Sequence, residues 1–158
     1  MQRVGIGYDV HRLVVGRPLI LGDVTIPFEK GLLGHSDADV LCHAIADALL
    51  GAASLGDIGI HFPNTDPQWL GVSSLLLLQK VKILLADAGY RIDNIDSVLI
   101  AEKPKIKPFI ELMVNQIAQA LAILPAVVSV KATTSEGLGF AGKGKGMAAQ
   151  AIVLISKI

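Results

Sequence analysis

The order of hydrophobic patterns along the chain predicts an α+β fold, a two-layer sandwich of a mixed β-sheet with helices on one face. Strand-type alternation marks the start, two long helical patterns follow, and a strand, a helix and two further strands close the chain. Of the 158 residues, 52% are hydrophobic and 18% charged, which suits a real core and argues against disorder. No internal repeat, linker or low-complexity segment interrupts the pattern, so one domain over 1–158 is expected.

The elements can be justified in order. From Arg3 to Tyr8, Val4, Ile6 and Tyr8 alternate with Arg3, Gly5 and Gly7, which is the period of a strand. Between Pro18 and Pro27, the runs Leu19–Leu21 and Val24–Ile26 flank Gly22-Asp23 and read as a hairpin. A helix is expected over Ser36–Leu50, with Ser36 as its cap, Asp39 completing a weak capping box and Gly51 as its stop. A second helix is expected from about Val72 to Ala88, ending at Gly89, and a third from near Pro108 to before Pro125. Strands are expected at Ile95–Ala101, Val127–Thr133 and Met147–Ile155, with Gly137–Gly146 a glycine-rich loop.

Composition narrows the function. The formal net charge is zero and the nearest approach to a basic stretch is Lys103, Lys105 and Lys107, so nucleic-acid binding driven by counterion release is disfavoured. No apolar run reaches the roughly 20 residues of a membrane helix, since Gln79, Lys80 and Lys82 break the richest one. A single cysteine, Cys42, excludes an intramolecular disulfide and suits a reducing compartment. The start of the chain carries no signal- or transit-peptide pattern. High aliphatic content is met either by a Leu- and Ala-rich core or by apolar surface facing a partner subunit.

Metal chemistry has the sharpest local signal. Asp9 and His11 are two apart at the end of the first expected strand and so share a face. His35, Asp39, His43 and Asp47 are spaced by four, along one stripe as far as the helix extends, while Leu41, Ile45, Ala48 and Leu49 supply the apolar side. If the strand end meets this helix, Asp9, His11 and His43 provide three N/O ligands, the number that catalytic zinc sites commonly use. Taken singly, His43 reads as an ordinary surface or core histidine and Asp9 as a turn cap; the combination favours the metal. Asp47 is either a partner that orients His43 or a solvated helix carboxylate.

Phosphate chemistry is suggested by Thr133-Thr134-Ser135-Glu136-Gly137 after an expected strand. Its hydroxyls and N–H groups suit phosphate, and Glu136 suits Mg²⁺, although the same residues also compose an ordinary polar turn. Gly142-Lys143-Gly144-Lys145-Gly146 lacks Walker A spacing and reads as a flexible turn. Asp57-Ile58-Gly59 leads into a loop, Phe62-Pro63-Asn64-Thr65-Asp66-Pro67, that also holds His61.

Several longer runs carry a resemblance over nearly the whole chain. They are Gly7–His11, Ser36–Leu49, Leu55–Gly59, Ala101–Lys105 and Lys131–Glu136. In this order they resemble the 2-C-methyl-D-erythritol 2,4-cyclodiphosphate synthases. The resemblance implies a CDP-linked methylerythritol 2-phosphate as substrate, attack of its 2-phosphate on the β-phosphorus, and release of CMP. It implies Zn²⁺ on Asp9, His11 and His43, and Mg²⁺ or Mn²⁺ near Glu136. His35 and Thr134 would position or stabilise the reacting phosphates. Ser36, Asp57, Ile58 and Gly59 would meet the methylerythritol phosphate end, and Ala101, Pro104, Lys105, Ala132 and Thr133 the cytidine. Further substrate contacts are implied at Phe62, Asp66, Phe140 and Lys143.

The same resemblance implies a homotrimer with active sites between subunits, an axial cavity able to hold an isoprenoid diphosphate, and a bacterial cytoplasmic setting (plastid stroma for a chain whose transit peptide has been removed). Asn64 stands where many members carry Asp, Lys143 where Arg is common, and Lys145 where an acid is common. The alternative chemistry is a zinc phosphohydrolase, in which water replaces the substrate's own phosphate as nucleophile. A non-enzymatic trimer that binds a nucleotide or isoprenoid is the second alternative.

Overall fold

The computed structural model describes residues 1–158. Strand β1 (Gln2–Val15) is followed by the short β2 (Leu19–Leu21) and β3 (Val24–Ile26), then β4 (Lys30–Leu33) and helix α1 (Val40–Ala52). A four-residue turn of helix, α2 (Ile58–His61), precedes α3 (Ser74–Asp87). Then come β5 (Tyr90–Ile100), α4 (Ile110–Leu121), β6 (Val128–Thr133), the single turn α5 (Gly139–Gly142) and β7 (Gly146–Lys157). The main sheet has the order β4-β1-β7-β5-β6 and is mixed, because β5 and β6 run parallel while the other pairs are antiparallel. Helix α4 makes the crossover that a parallel pair requires. The β2–β3 hairpin turns at Gly22 and Asp23, both at positive φ (57° and 60°), the requirement of a type I′ turn.

Helix α1 lies on β1 and β7, with α3 packed beside it and α4 beside α3. It is apolar almost all round and therefore buried from Val40 to Leu50 apart from the half-buried Asp47, with Gly51 exposed near its end. Its close approach to β1 depends on two glycines. A methyl group on Gly5 would stand 1.9 Å from the Ala48 carbonyl oxygen, and one on Gly7 1.9 Å from that of Ala44. No side chain fits at either position, so helix and strand meet backbone to backbone.

This contact decides which face of β1 is the inner one. The alternation is as expected, but the glycine face is the inner one. Val4 (68% exposed), Ile6 (71%), Tyr8 and Val10 point away from the helices, and Ile152 of β7 joins them opposite Ile6. The open face of the sheet is therefore an apolar stripe.

Other expectations need correction. Strand β1 runs to Val15, so Asp9 and His11 lie within it and not at its end. Strand β4 carried no recognised pattern, and β5 begins at Tyr90, five residues earlier than expected. Helix α1 starts at Val40, and its cap is Asp39, not Ser36. The Asp39 carboxylate accepts the Cys42 N–H at 3.1 Å and, from the hairpin, those of Gly22 and Asp23 at 3.0 and 2.8 Å. One buried carboxylate thus ties the hairpin to the start of α1, and burial together with neighbouring Asp37 pushes its pKa up. Gly51 does not stop α1, which continues to Ala52. The third expected helix lies within its expected bounds, opening with a 3₁₀ turn at Lys107–Phe109 and ending at left-handed Ala122 (φ 52°). The Gly137–Gly146 loop contains the turn α5.

If the glycine contact sets the fold, Gly7→Ala should lower the unfolding free energy by about 2 kcal/mol or more, the range of buried overpacking. Urea titration followed by far-UV circular dichroism measures it. A loss below about 0.5 kcal/mol, within the range of ordinary surface substitutions, would contradict the contact.

Candidate active site

Strand β1 presents Asp9 and His11 on the face that meets α1, and α1 presents His43 from its first turn. The three converge. Asp9 Oδ2 lies 2.9 Å from His11 Nε2 and 2.9 Å from His43 Nδ1, and the two ring nitrogens are 3.3 Å apart. Two ligands each about 2.0–2.1 Å from a tetrahedral zinc stand about 3.3 Å apart, so the imidazole pair already has the spacing of a metal site. Mutual proximity of one ligand atom from each of the three residues marks the same cluster.

The far sides of both rings are engaged. His11 Nδ1 is 2.9 Å from the Leu33 carbonyl, to which it must donate, leaving Nε2 with a lone pair in the neutral ring. His43 Nε2 is 2.8 Å from Ser74 Oγ and 3.1 Å from Ser36 Oγ. Two imidazole lone pairs and a carboxylate oxygen packed this closely require positive charge among them, from ring protons or from a cation. The donor set and its spacing fit a divalent ion. Partial burial raises the Asp9 pKa, but hydrogen bonds and charge from His11 and His43 outweigh it and hold the group at about 2. Burial lowers the His43 pKa, and the bond and charge of Asp9 more than offset it, so the net shift is upward.

A cleft of about 340 Å³ opens over these residues. Its lining includes His35, Ser36, Ile58, Gly59 and Phe62 among the expected site residues. Missed by the sequence reading were Trp69, Val72 and Leu77, which give the cleft an apolar wall. His35 precedes α1 and so lies off its stripe; its Nε2 is 3.3 Å from the Asp66 carbonyl oxygen. Asp57 and Asp66 act as local caps, Asp57 accepting from Ile60 N–H at 3.0 Å and Asp66 from Gln68 N–H at 3.0 Å. Asp47 does not orient His43. It accepts the Ile58 N–H at 2.8 Å and so anchors the wall of the cleft.

The remaining expected residues lie in two other places. Ala101, Pro104, Lys105, Ala132, Thr133 and Thr134 line a shallow cleft of about 210 Å³ between the ends of β5 and β6. Glu102, within the expected Ala101–Lys105 run, supports it: its carboxylate accepts the Ser135 N–H at 2.8 Å and the Gly137 N–H at 3.4 Å. Glu136 is exposed on the same loop at positive φ (53°) and stands outside the Asp9–His11–His43 cluster. Phe140 and Lys143 line a third cavity with Arg12, Lys30 and Lys145. Within one chain, His35 and Thr134 therefore belong to different clefts.

No helix is long and apolar enough to cross a membrane. Comparison with known proteins gives one answer at every level. The family model described as the YgbB family matches residues 2–156. The 2-C-methyl-D-erythritol 2,4-cyclodiphosphate synthase of Pelotomaculum thermopropionicum is 63% identical over 99% of this chain and 96% of its own. That of Alkaliphilus metalliredigens is 62% identical over 99% and 98%. Among solved structures, the bifunctional IspDF of Campylobacter jejuni superposes with TM-score 0.96 at 40% identity; this chain is covered completely and spans 43% of that longer one. The IspF–CDP complex of Plasmodium falciparum superposes with TM-score 0.87 at 34% identity, over 99% of this chain and 96% of that one. With a family model across almost its full length and relatives above 60% identity, the chain belongs to the YgbB family.

Proposed function

We propose that the chain is a 2-C-methyl-D-erythritol 2,4-cyclodiphosphate synthase. It would convert 4-diphosphocytidyl-2-C-methyl-D-erythritol 2-phosphate to the 2,4-cyclodiphosphate and CMP, a cyclising phosphorus–oxygen lyase step of the non-mevalonate isoprenoid pathway. The observation that carries this reading is the Asp9–His11–His43 cluster at the cleft, in a chain nearly two-thirds identical to a synthase of that name. A 2-phosphate oxygen forms a bond to the β-phosphorus, the bond from that phosphorus to the bridging oxygen breaks, and CMP leaves with that oxygen. No protein nucleophile is required, so positioning and charge neutralisation supply the catalysis.

The chain's own residues divide that work. Asp9, His11 and His43 hold Zn²⁺, which when bound supplies Lewis-acid polarisation of phosphate oxygens. His35 and Ser36 line the same cleft and can donate to phosphate oxygens, with Ile58 and Gly59 behind them. Asp57 shapes that wall by capping α2. Phe62 and the loop through Asp66 close the methylerythritol end. Ala101, Pro104, Lys105, Ala132 and Thr133 would receive the cytidine, with Thr134 of the same cleft at the diphosphate; Glu136, exposed on the loop that follows, would be the ligand for Mg²⁺ or Mn²⁺.

A homotrimer completes this division. The two clefts of one chain would be halves of two different sites, each finished by a neighbour. The apolar stripe of Val4, Ile6, Tyr8 and Ile152 supports burial of the open sheet face against other copies. In that assembly Phe140 and Lys143, in the third cavity, would be further substrate contacts, and a cavity on the trimer axis would be able to take an isoprenoid diphosphate. The whole of 1–158 acts as one catalytic domain, and a bacterial cytoplasm is the setting that its relatives suggest.

Three outcomes are expected. Phosphorus NMR of the protein with the CDP-linked substrate, Zn²⁺ and Mg²⁺ should show cyclic diphosphate and CMP in equal amounts. Linear phosphate products would establish the hydrolase instead, and binding without turnover would leave only a ligand-binding trimer. His43→Ala should retain native circular dichroism but lose zinc by elemental analysis, with CMP release down at least about 100-fold; full zinc occupancy would refute the ligand assignment. Ile6→Glu should convert a trimer of about three chain masses in sedimentation equilibrium to monomer, since a charge cannot be buried unpaired. A wild-type monomer would contradict the trimer.

A further inference from the structure

One pair next to the cluster, the buried Ser74 and the half-buried Asp37, has no part in the proposed reaction, although its geometry is specific. Ser74 is the first residue of α3 and is 1% exposed, so it cannot touch substrate. Its hydroxyl donates to Asp37 Oδ1. A serine hydroxyl has one proton, so once that proton is given to Asp37 the oxygen can only accept. The group it accepts from is His43 Nε2–H, at 2.8 Å. Asp37 is itself held by the Asp39 N–H at 3.0 Å and the Ser74 N–H at 2.8 Å.

We propose that Asp37 and Ser74 are positioning residues for the metal site, a relay that fixes the His43 ring and keeps its proton on Nε2 so that Nδ1 presents a lone pair beside Asp9 and His11. The proposal rests on the metal reading given above. Donation to a carboxylate makes the Ser74 oxygen a stronger acceptor, and a stronger acceptor at Nε2 makes Nδ1 a better ligand. The relay also explains why two hydroxyls meet one nitrogen. Ser36 Oγ is farther away, at 3.1 Å, and already accepts the Ala38 N–H at 3.2 Å. With Ser74 holding the imidazole, the Ser36 hydroxyl proton is free for a phosphate oxygen in the cleft that Ser36 lines. The two serines thus separate metal support from substrate contact.

The test is zinc affinity, measured by competition with a chromophoric chelator on wild type, Ser74→Ala, Asp37→Asn and Ser36→Ala. Ser74→Ala should weaken zinc about 10- to 100-fold, the usual effect of losing a ligand's hydrogen-bond partner, and should change the visible spectrum of the Co²⁺-substituted protein. Asp37→Asn keeps an acceptor for the Ser74 hydroxyl without the charge, and should weaken zinc less than Ser74→Ala but at least about threefold. It stands in if Ser74→Ala does not fold. Ser36→Ala should change zinc affinity less than about threefold. Unchanged affinity in folded Ser74→Ala, or in Asp37→Asn, would overturn the relay. An equal loss in Ser36→Ala would overturn the assignment of Ser74 as the acceptor. A wild type that binds no zinc would instead remove the metal reading beneath both.

Discussion

Everything at the site depends on how closely α1 can approach β1. Gly5 and Gly7 leave room for the Ala48 and Ala44 carbonyls to come down onto the strand, where any β-carbon would collide. That approach sets the depth of His43, which lies one residue before Ala44, and the strand's period of two brings Asp9 and His11 to the same face as the glycines. The three ligand atoms meet because two backbones touch. A larger separation, ordinary for a helix packed on a sheet through side chains, would leave the imidazole of His43 short of Asp9.

The same constraint accounts for the outer face of the sheet. With glycines turned inward, the large apolar residues of β1 have nowhere to go but outward, and β7 adds Ile152 beside them. The helices pack on the other face, so nothing within the chain covers this stripe. The expected site residues are split between a cleft at the metal cluster and one at the ends of β5 and β6, and the proposed trimer is the arrangement that would join them.

Much of this was legible in the sequence, and the exceptions have physical reasons. Period-two alternation identified β1, and the i to i+2 relation of Asp9 and His11 needs only that period. The Gly22-Asp23 turn was read from its residues alone, because a two-residue hairpin demands positive φ there. Alternation does not say which face is inward, and here two glycines outweighed three large apolar residues. Ser36 and Asp39 are both good caps by residue type. What decides for Asp39 is its bonds to Gly22 and Asp23, sixteen or more residues away. Asp47 lies one turn from His43 on the helix, yet the Ile58 N–H satisfies it first. Ser74 could not have been found by spacing, since it sits 31 residues from His43 at the start of another helix. The longer runs shared with the cyclodiphosphate synthases supplied what periodicity could not, the choice of substrate.

X-ray absorption at the zinc edge tests the central claim most directly, because it reports the atoms bound to the ion and their distances. The account expects only nitrogen and oxygen neighbours at about 2.0–2.1 Å, two of them imidazole. A sulfur neighbour at about 2.3 Å, which in this chain would bring in Cys42 or a methionine, or the absence of imidazole scattering, would contradict it.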